Sequence, residues 1–76
     1  MKKENDMATI VDARGYSCPQ PVIMAQKAIQ NGKFPIEVLV ETVTSRENVR
    51  RMAEMKGCKV EISPQNDEFH LILQRG

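Results

Sequence analysis

Residues 9–41 read TIVDARGYSCPQPVIMAQKAIQNGKFPIEVLVE, a strand pattern followed by a helix pattern and a second strand pattern. Alternation of apolar and polar side chains over residues 9–13 predicts the first strand. Apolar residues three and four apart predict a helix over residues 19–30, and Asn31-Gly32 is typical of a helix C-terminus. Residues 36–41 alternate again and are rich in β-branched side chains, which predicts the second strand.

The rest of the chain predicts a second helix and a terminal hairpin. Residues 44–47, Thr-Ser-Arg-Glu, fit a capping box whose threonine caps the helix, and the helix should end at Lys56-Gly57. Residues 58–63 and 69–74 alternate like strands, and residues 64–67 have turn composition. The order βαβαββ therefore predicts an α/β (α+β) fold, a two-layer sandwich with helices on one face of the sheet.

Length and charge limit the classes of function. The chain has 76 residues and a formal net charge of +1, so we expect one small domain over residues 9–76, preceded by a flexible segment, residues 1–8. A deep, enclosed active site is not expected at this size. We expect no membrane span, and the polar N-terminus lacks the apolar core of a secretory signal, so the cytoplasm is the expected compartment.

Three aliphatic residues, Ile10, Leu39 and Ile72, fall on the strand face that should lie away from the helices. Isolated exposed aliphatic side chains are common in soluble proteins. A surface for a partner or for self-association is the alternative interpretation.

The most informative residue is Cys18, which lies between the first strand and the first helix in the sequence Cys18-Pro19-Gln20-Pro21. Open α/β sheets bind ligands at the carboxyl ends of parallel strands, and the first strand should be parallel. A residue before proline favours the extended backbone that an N-cap needs, so Cys18 suits the N-cap with Pro19 at the first helical position. Gln20 also precedes a proline, so a helix that starts at Pro21 is the alternative.

A thiol at this position should be activated. The thiolate is the nucleophilic form of cysteine, and a helix N-terminus with a backbone N–H donor lowers the pKa of a thiol. The amides of Gln20, Val22 and Ile23 are the candidate donors, and Arg14 is a candidate cation. The sequence therefore predicts a reactive Cys18.

Cys58 and His70 could also act as a nucleophile or as metal ligands, but their positions in the strand patterns indicate structural roles. Cys58 alternates with apolar residues of the third strand, which predicts inert packing in the core. His70 should be a solvent-facing residue of the last strand. Cys18, Cys58 and His70 have none of the short spacings of a metal site, so no metal is expected.

The motif Cys18-Pro19-Gln20-Pro21, preceded by Val11-Asp12-Ala13-Arg14-Gly15, resembles the signature of the TusA/SirA-like family of sulfur-carrier proteins. The resemblance extends from about Thr9 to Gln74 and is greatest to the YedF-like branch, in which such a domain often precedes a DsrE-like domain in proteins linked to selenium metabolism. After the second strand the chain has residues 41–44, Glu-Thr-Val-Thr, where TusA itself has an Asp-Pro-containing stretch.

The resemblance implies a mixed four-stranded sheet with two helices on one face, and a Cys18 that carries sulfur as a persulfide. It implies a sulfurtransferase-type carrier that acts with partners, not a stand-alone enzyme, and no cofactor apart from the transient persulfide. The partners would be a sulfur donor such as a cysteine desulfurase, an acceptor protein and a DsrE-like domain. Gly15, Pro19, Gln20 and Pro21 would support the motif, and Arg14 and Tyr16 are candidate partner contacts.

Two other functions are alternatives to the carrier. The first is a redox-sensing or regulatory interaction module, in which Cys18 would form a reversible sulfenic acid or mixed disulfide. The second is a small RNA-binding domain, which the sequence disfavours because no two glycines are three apart as in GxxG, the chain has only three aromatic residues and its charge is nearly neutral.

Overall fold

The computed structural model describes residues 9–17 and 19–76, so the predicted N-terminal segment, residues 1–8, lies outside the described residues. Its elements follow the predicted order. They are β1 (Thr9–Asp12), α1 (Gln20–Asn31), β2 (Ile36–Val40), α2 (Val43–Met55), β3 (Cys58–Gln65) and β4 (Glu68–Arg75). No helix in the described part of the chain is long and apolar enough to cross a membrane.

The four strands form one mixed sheet in the order β1-β2-β4-β3. β1 lies parallel to β2, with Val11 opposite Val38, and β4 lies antiparallel to both β2 and β3. The parallel pair requires a crossover, which α1 provides. The predicted two-layer α/β sandwich with a mixed sheet is confirmed.

The core lies between the helices and one face of the sheet. Its largest fully buried side chains from the sheet are Ile36, Val38, Val40, Leu71 and Leu73. The helices contribute small side chains at the contact, among them Ala25, Ala28 and Ala53. Small side chains let the two helices approach the sheet and each other closely, which suits a core of this size.

The opposite face of the sheet has no helix over it. Ile10 is 64% exposed there and lies opposite Glu37, which in turn lies opposite Ile72. Leu39 and Ile72 are half-buried by their neighbours. The prediction that Ile10, Leu39 and Ile72 lie on the open face is confirmed.

Helix α1 begins at Gln20, and its N-cap is Pro19 with φ −96° and ψ 15°. Both predicted starts, with Cys18 as the N-cap or with the helix beginning at Pro21, are therefore wrong by about one residue. A proline is tolerated at the second helical position because the first N–H groups of a helix have no intrahelical acceptor. The predicted C-terminus is confirmed, since Gly32 caps the helix in the left-handed conformation with φ 73°.

Helix α2 begins earlier than its sequence predicted. The Thr42 hydroxyl accepts a hydrogen bond of 3.0 Å from the Ser45 amide, so Thr42 is the N-cap and the predicted cap at Thr44 is wrong. Thr42 has the extended backbone that an N-cap requires, and Thr44 lies within the first turn. Glu47 does not reach back to the cap but contacts Arg50, with Nη2 and Oε1 2.6 Å apart.

The terminal hairpin is confirmed, but its turn is shorter than predicted. β3 continues through Pro64 and Gln65, and only Asn66 and Asp67 connect it to β4. Pro64 is compatible with β3 because this strand lies at the edge of the sheet, where an N–H donor can be lost. Asn66 takes φ 54°, which a two-residue hairpin loop requires.

Candidate functional site

The candidate site begins at the carboxyl end of β1. The Ala13 amide still donates to the Leu39 carbonyl at 3.0 Å, so the chain leaves the sheet just after residue 13. It then reaches α1 through the loop that contains the motif. Cys18 itself lies outside the described residues, so the site is built from the residues before and after it.

A hydrogen bond ties this loop to the end of β2. The Gly15 amide donates to Oε1 of Glu41 at 2.7 Å. Gly15 takes φ 84°, a conformation that residues with a side chain rarely adopt, and this conformation accompanies the contact with Glu41. Glu41 follows β2 directly, and β1 and β2 are parallel, so the residues that follow both strands meet at one edge of the sheet.

An arginine anchors the same loop to the open face of the sheet. The Arg14 guanidinium donates to both carboxylate oxygens of Asp12, at 2.9 and 2.8 Å, and Nη1 donates to Oε1 of Glu68 at 3.1 Å. Hydrogen bonds from the Arg14 side chain and backbone lower the pKa of Asp12 to about 2. Arg14 therefore pairs with two carboxylates close to the motif and offsets one of their two negative charges, and its predicted contact with a partner stays a prediction.

The motif itself turns directly into the helix. The Gln20 amide donates to the Ser17 carbonyl at 2.9 Å, a contact between the end of the loop and the first residue of α1. The Ile23 amide donates to the Pro19 carbonyl at 3.1 Å. Two of the three amides predicted as donors to the sulfur, those of Gln20 and Ile23, are thus bonded to backbone carbonyls, because the helix starts where these acceptors are within reach.

The motif side chains divide into an anchor and an exposed rim. Pro21 is fully buried, whereas Pro19 and Gln20 are exposed. Tyr16, a predicted partner contact, is 54% exposed. The buried proline fixes the start of the helix to the core, while Tyr16, Pro19 and Gln20 remain accessible to another protein.

A shallow groove of about 330 Å³ begins at the motif and runs between α1 and α2. Its apolar lining includes Pro19, Val22, Met52 and Met55, and its polar lining includes the cations of Arg51 and Lys56. We call these six residues the interhelical groove. The sequence pattern does not reveal this groove, because Val22 and Met52 belong to separate helices and only the packing of α1 against α2 brings them together.

The remaining candidate residues lie elsewhere. Cys58 is 8% exposed and belongs to the core, as predicted. His70 lies on the open face as predicted, but its side chain is only 17% exposed because Glu37 and Glu68 flank it. Its Nδ1 lies 2.8 Å from Oε2 of Glu37. Among the described residues no group of three potential metal ligands comes together.

Glu41 and Glu68 were not predicted as anchors of the loop. One signal for Glu41 was available: it is the last residue of the second predicted strand, residues 36–41, at the carboxyl end where open parallel sheets bind ligands. Glu68 carried no comparable signal, since its contact with Arg14 joins residues 54 positions apart.

The architecture is that of a known class of small protein. A solved structure of a SirA-like protein from Desulfitobacterium hafniense superposes with a TM-score of 0.79 at 34% sequence identity, over 90% of this chain and 99% of that chain. No curated protein matches the chain. Both the fold and the sequence of this chain are therefore similar to those of a SirA-like protein.

The family model described as sulfurtransferase TusA matches residues 9–75. The chain belongs to the TusA family. This membership supports a sulfur-carrier or sulfurtransferase role. Placement in the YedF-like branch stays a prediction.

Proposed function

We propose that this protein carries sulfur as a persulfide on Cys18 and passes it from a donor protein to an acceptor protein. The match of residues 9–75 to the sulfurtransferase family carries the proposal. Cys18 is the residue assigned because it lies in the chain directly before Pro19, the N-cap of α1. The other cysteine, Cys58, is buried.

The transfer requires two displacements at sulfur and no external oxidant. The Cys18 thiolate attacks the outer sulfur of a donor persulfide, a new S–S bond forms, and the donor cysteine leaves as a thiolate that takes up a proton. An acceptor thiolate then attacks the outer sulfur of the Cys18 persulfide, and Cys18 leaves as a thiolate. Each step moves one sulfur atom at the zero oxidation level, so no net oxidation or reduction occurs.

The described residues suit this chemistry because they hold the loop from both sides. Glu41 binds the Gly15 amide and Arg14 binds Asp12 and Glu68, while Pro21 is buried on the helix side. A loop fixed at both ends presents its thiol with a small loss of conformational entropy on docking.

The N-terminus of α1 also favours anionic sulfur. A helix N-terminus stabilises an anion through its partial positive charge, by about 0.3–1 kcal/mol at an exposed position. Asp12 and Glu68 would oppose a thiolate on the same loop, but both are paired with Arg14. The motif therefore lies next to the positive end of α1, and Arg14 offsets one of the two acidic charges of Asp12 and Glu68.

The carrier would act only together with its partners. We propose a cysteine desulfurase as the donor and a thiol-containing protein as the acceptor, with a DsrE-like domain as one candidate. The reaction needs a reduced Cys18, which fits a reducing compartment such as the cytoplasm. Selenium would follow the same displacements, so selenium transfer is a variant of the same proposal.

The decisive experiment is mass spectrometry of the intact chain after incubation with a cysteine desulfurase and cysteine. We expect one added sulfur atom, removed by dithiothreitol, lost in Cys18→Ser and kept in Cys58→Ala. Selenocysteine in place of cysteine tests the selenium variant in the same assay. Absence of an adduct with every donor tried would refute the proposal, and an oxidant-induced sulfenic acid without sulfur uptake would favour the redox-sensor alternative.

A further inference from the structure

The interhelical groove exposes apolar surface right beside the motif. Pro19 is one of its lining residues, and Pro19 follows Cys18 in the chain. Met55 is 87% exposed and Val22 is half-buried, so large apolar atoms face solvent there. Methionine side chains adapt their shape to an incoming apolar group and are common on surfaces that bind protein segments.

The charged residues that line the groove are all basic. Arg51 and Lys56 line it, and no acidic residue is among its described lining residues. The neighbouring Arg50 differs, because Glu47 and Glu54 bind its guanidinium at 2.6 and 3.0 Å. Neither Arg51 nor Lys56 forms an ion pair with any carboxylate in the described ranges 9–17 and 19–76. A partner that supplies carboxylates at these two positions would gain electrostatic complementarity.

The acidic cluster of the molecule lies on the other side of the loop. Asp12 and Glu68 bind Arg14, and Glu41 binds the Gly15 amide. These carboxylates are therefore engaged, and none of them lines the groove. A second copy of the chain could place these three acids in the groove only by giving up these contacts, which disfavours them as the groups that pair with Arg51 and Lys56.

We propose that the interhelical groove is the docking site for an acidic segment of the sulfur-donor protein. An aliphatic side chain of this segment packs on Val22, Met52 and Met55, and flanking carboxylates pair with Arg51 and Lys56. This inference rests on the proposed sulfur-carrier function, because a donor must dock beside Cys18 to deliver its sulfur. The shallow, open shape suits a protein segment better than an enclosed small molecule.

Binding can be tested without any sulfur transfer. The probe is a capped synthetic peptide, Asp-Glu-Leu-Leu-Glu-Asp, added to the ¹⁵N-labelled full chain and followed by NMR. We expect the largest shift changes at the amides of Val22, Met52 and Met55, and weaker binding as salt is raised. A peptide with serine in place of leucine and one with lysine in place of the acids should both bind less.

Two groove variants and their matched controls localise the interaction. Arg51→Gln combined with Lys56→Gln should lower the affinity for the peptide about five- to tenfold, whereas Lys59→Gln on the open face should change this affinity less than about twofold. Met55→Ala should also weaken binding, and its control is Ile10→Ala, since both side chains are more than half exposed and neither belongs to the core. Circular dichroism confirms that each variant is folded.

The docking proposal and the carrier proposal can fail separately. Desulfurase loading of Cys18 should slow in the groove variants, while loading by the small donor sodium polysulfide should keep its wild-type rate. Wild-type desulfurase loading in both groove variants, or peptide shifts spread over the open face, would overturn the docking site and leave the carrier intact. If the peptide binds in the groove but no donor loads a persulfide on Cys18, the carrier proposal is overturned, and with it the assignment of a sulfur donor as the occupant. Concentration-dependent dimerisation that the peptide reverses would instead assign the groove to a second copy.

Discussion

The backbone amide of Gly15 and the carboxylate of Glu41 lie 2.7 Å apart, and this hydrogen bond joins the loop before the motif to the end of β2. The two residues are 26 positions apart in the chain. Because β1 and β2 are parallel, their carboxyl ends lie side by side and the contact is short. The position of the loop that carries Cys18 thus depends on the neighbouring strand.

Glu41→Ala should slow sulfur loading of Cys18 on the order of tenfold, because the loop loses the acceptor that holds Gly15. The free energy of unfolding should fall by only about 0.5–1.5 kcal/mol, since the hydrogen bond is exposed. Single-turnover loading by a cysteine desulfurase measures the first effect and urea unfolding the second. Glu41→Gln keeps an oxygen acceptor and should recover most of the rate. The control is Glu61→Ala on the open face, and equal rates in the two alanine variants would contradict a positioning role.

Asp12 should contribute stability that acid removes. Its bond to Arg14 lowers the folded-state pKa from 3.8 to about 2, so the contribution is complete above roughly pH 5 and is lost as the pH falls toward 2. Asp12→Asn should therefore be less stable than wild type at pH 7 and should lose less stability between about pH 5 and pH 2. Urea midpoints measured across this range give the comparison. Parallel curves of urea midpoint against pH for the two proteins would show that Asp12 does not contribute to the loss of stability at low pH.

The cap of α2 can be assigned by two threonine substitutions. Thr42→Ala removes the acceptor of the Ser45 amide and should cost about 0.5–2 kcal/mol of folding free energy. Thr44→Ala should be within about 0.5 kcal/mol of wild type, because Thr44 is exposed within the first turn. Thermal or urea unfolding of both variants provides the test, and a larger loss for Thr44→Ala would restore the cap predicted from the sequence.

Leu71 should be among the most sensitive core positions. It is fully buried in β4, which lies between β2 and β3, so Leu71→Ala should cost about 2–5 kcal/mol. Ile10→Ala removes a similar aliphatic side chain from the open face, where it is 64% exposed, and should cost less than about 1 kcal/mol. Chemical denaturation measures both, and equal losses would mean that the open face is covered in solution.

Much of the fold could be predicted because its signals are local. The alternation in residues 36–41 and 69–74 identifies strands whose inward side chains fill the core, and Gly32 at the end of α1 marks a left-handed cap. The helix starts were less predictable. Thr42 and Thr44 are both good caps, and the choice between them depends on where β2 ends and how α2 packs.

The sequence by itself determined the order of elements, the core faces of the strands, the burial of Cys58 and the candidate thiol before Pro19. These properties follow from periodicity and local backbone preferences, which are encoded within a few residues. The tertiary structure alone decided that Arg14 binds Glu68, that Gly15 binds Glu41, and that α1 and α2 form a groove with a basic edge. Such contacts join residues far apart in the chain, so they exist only after the sheet register and helix packing bring the side chains together.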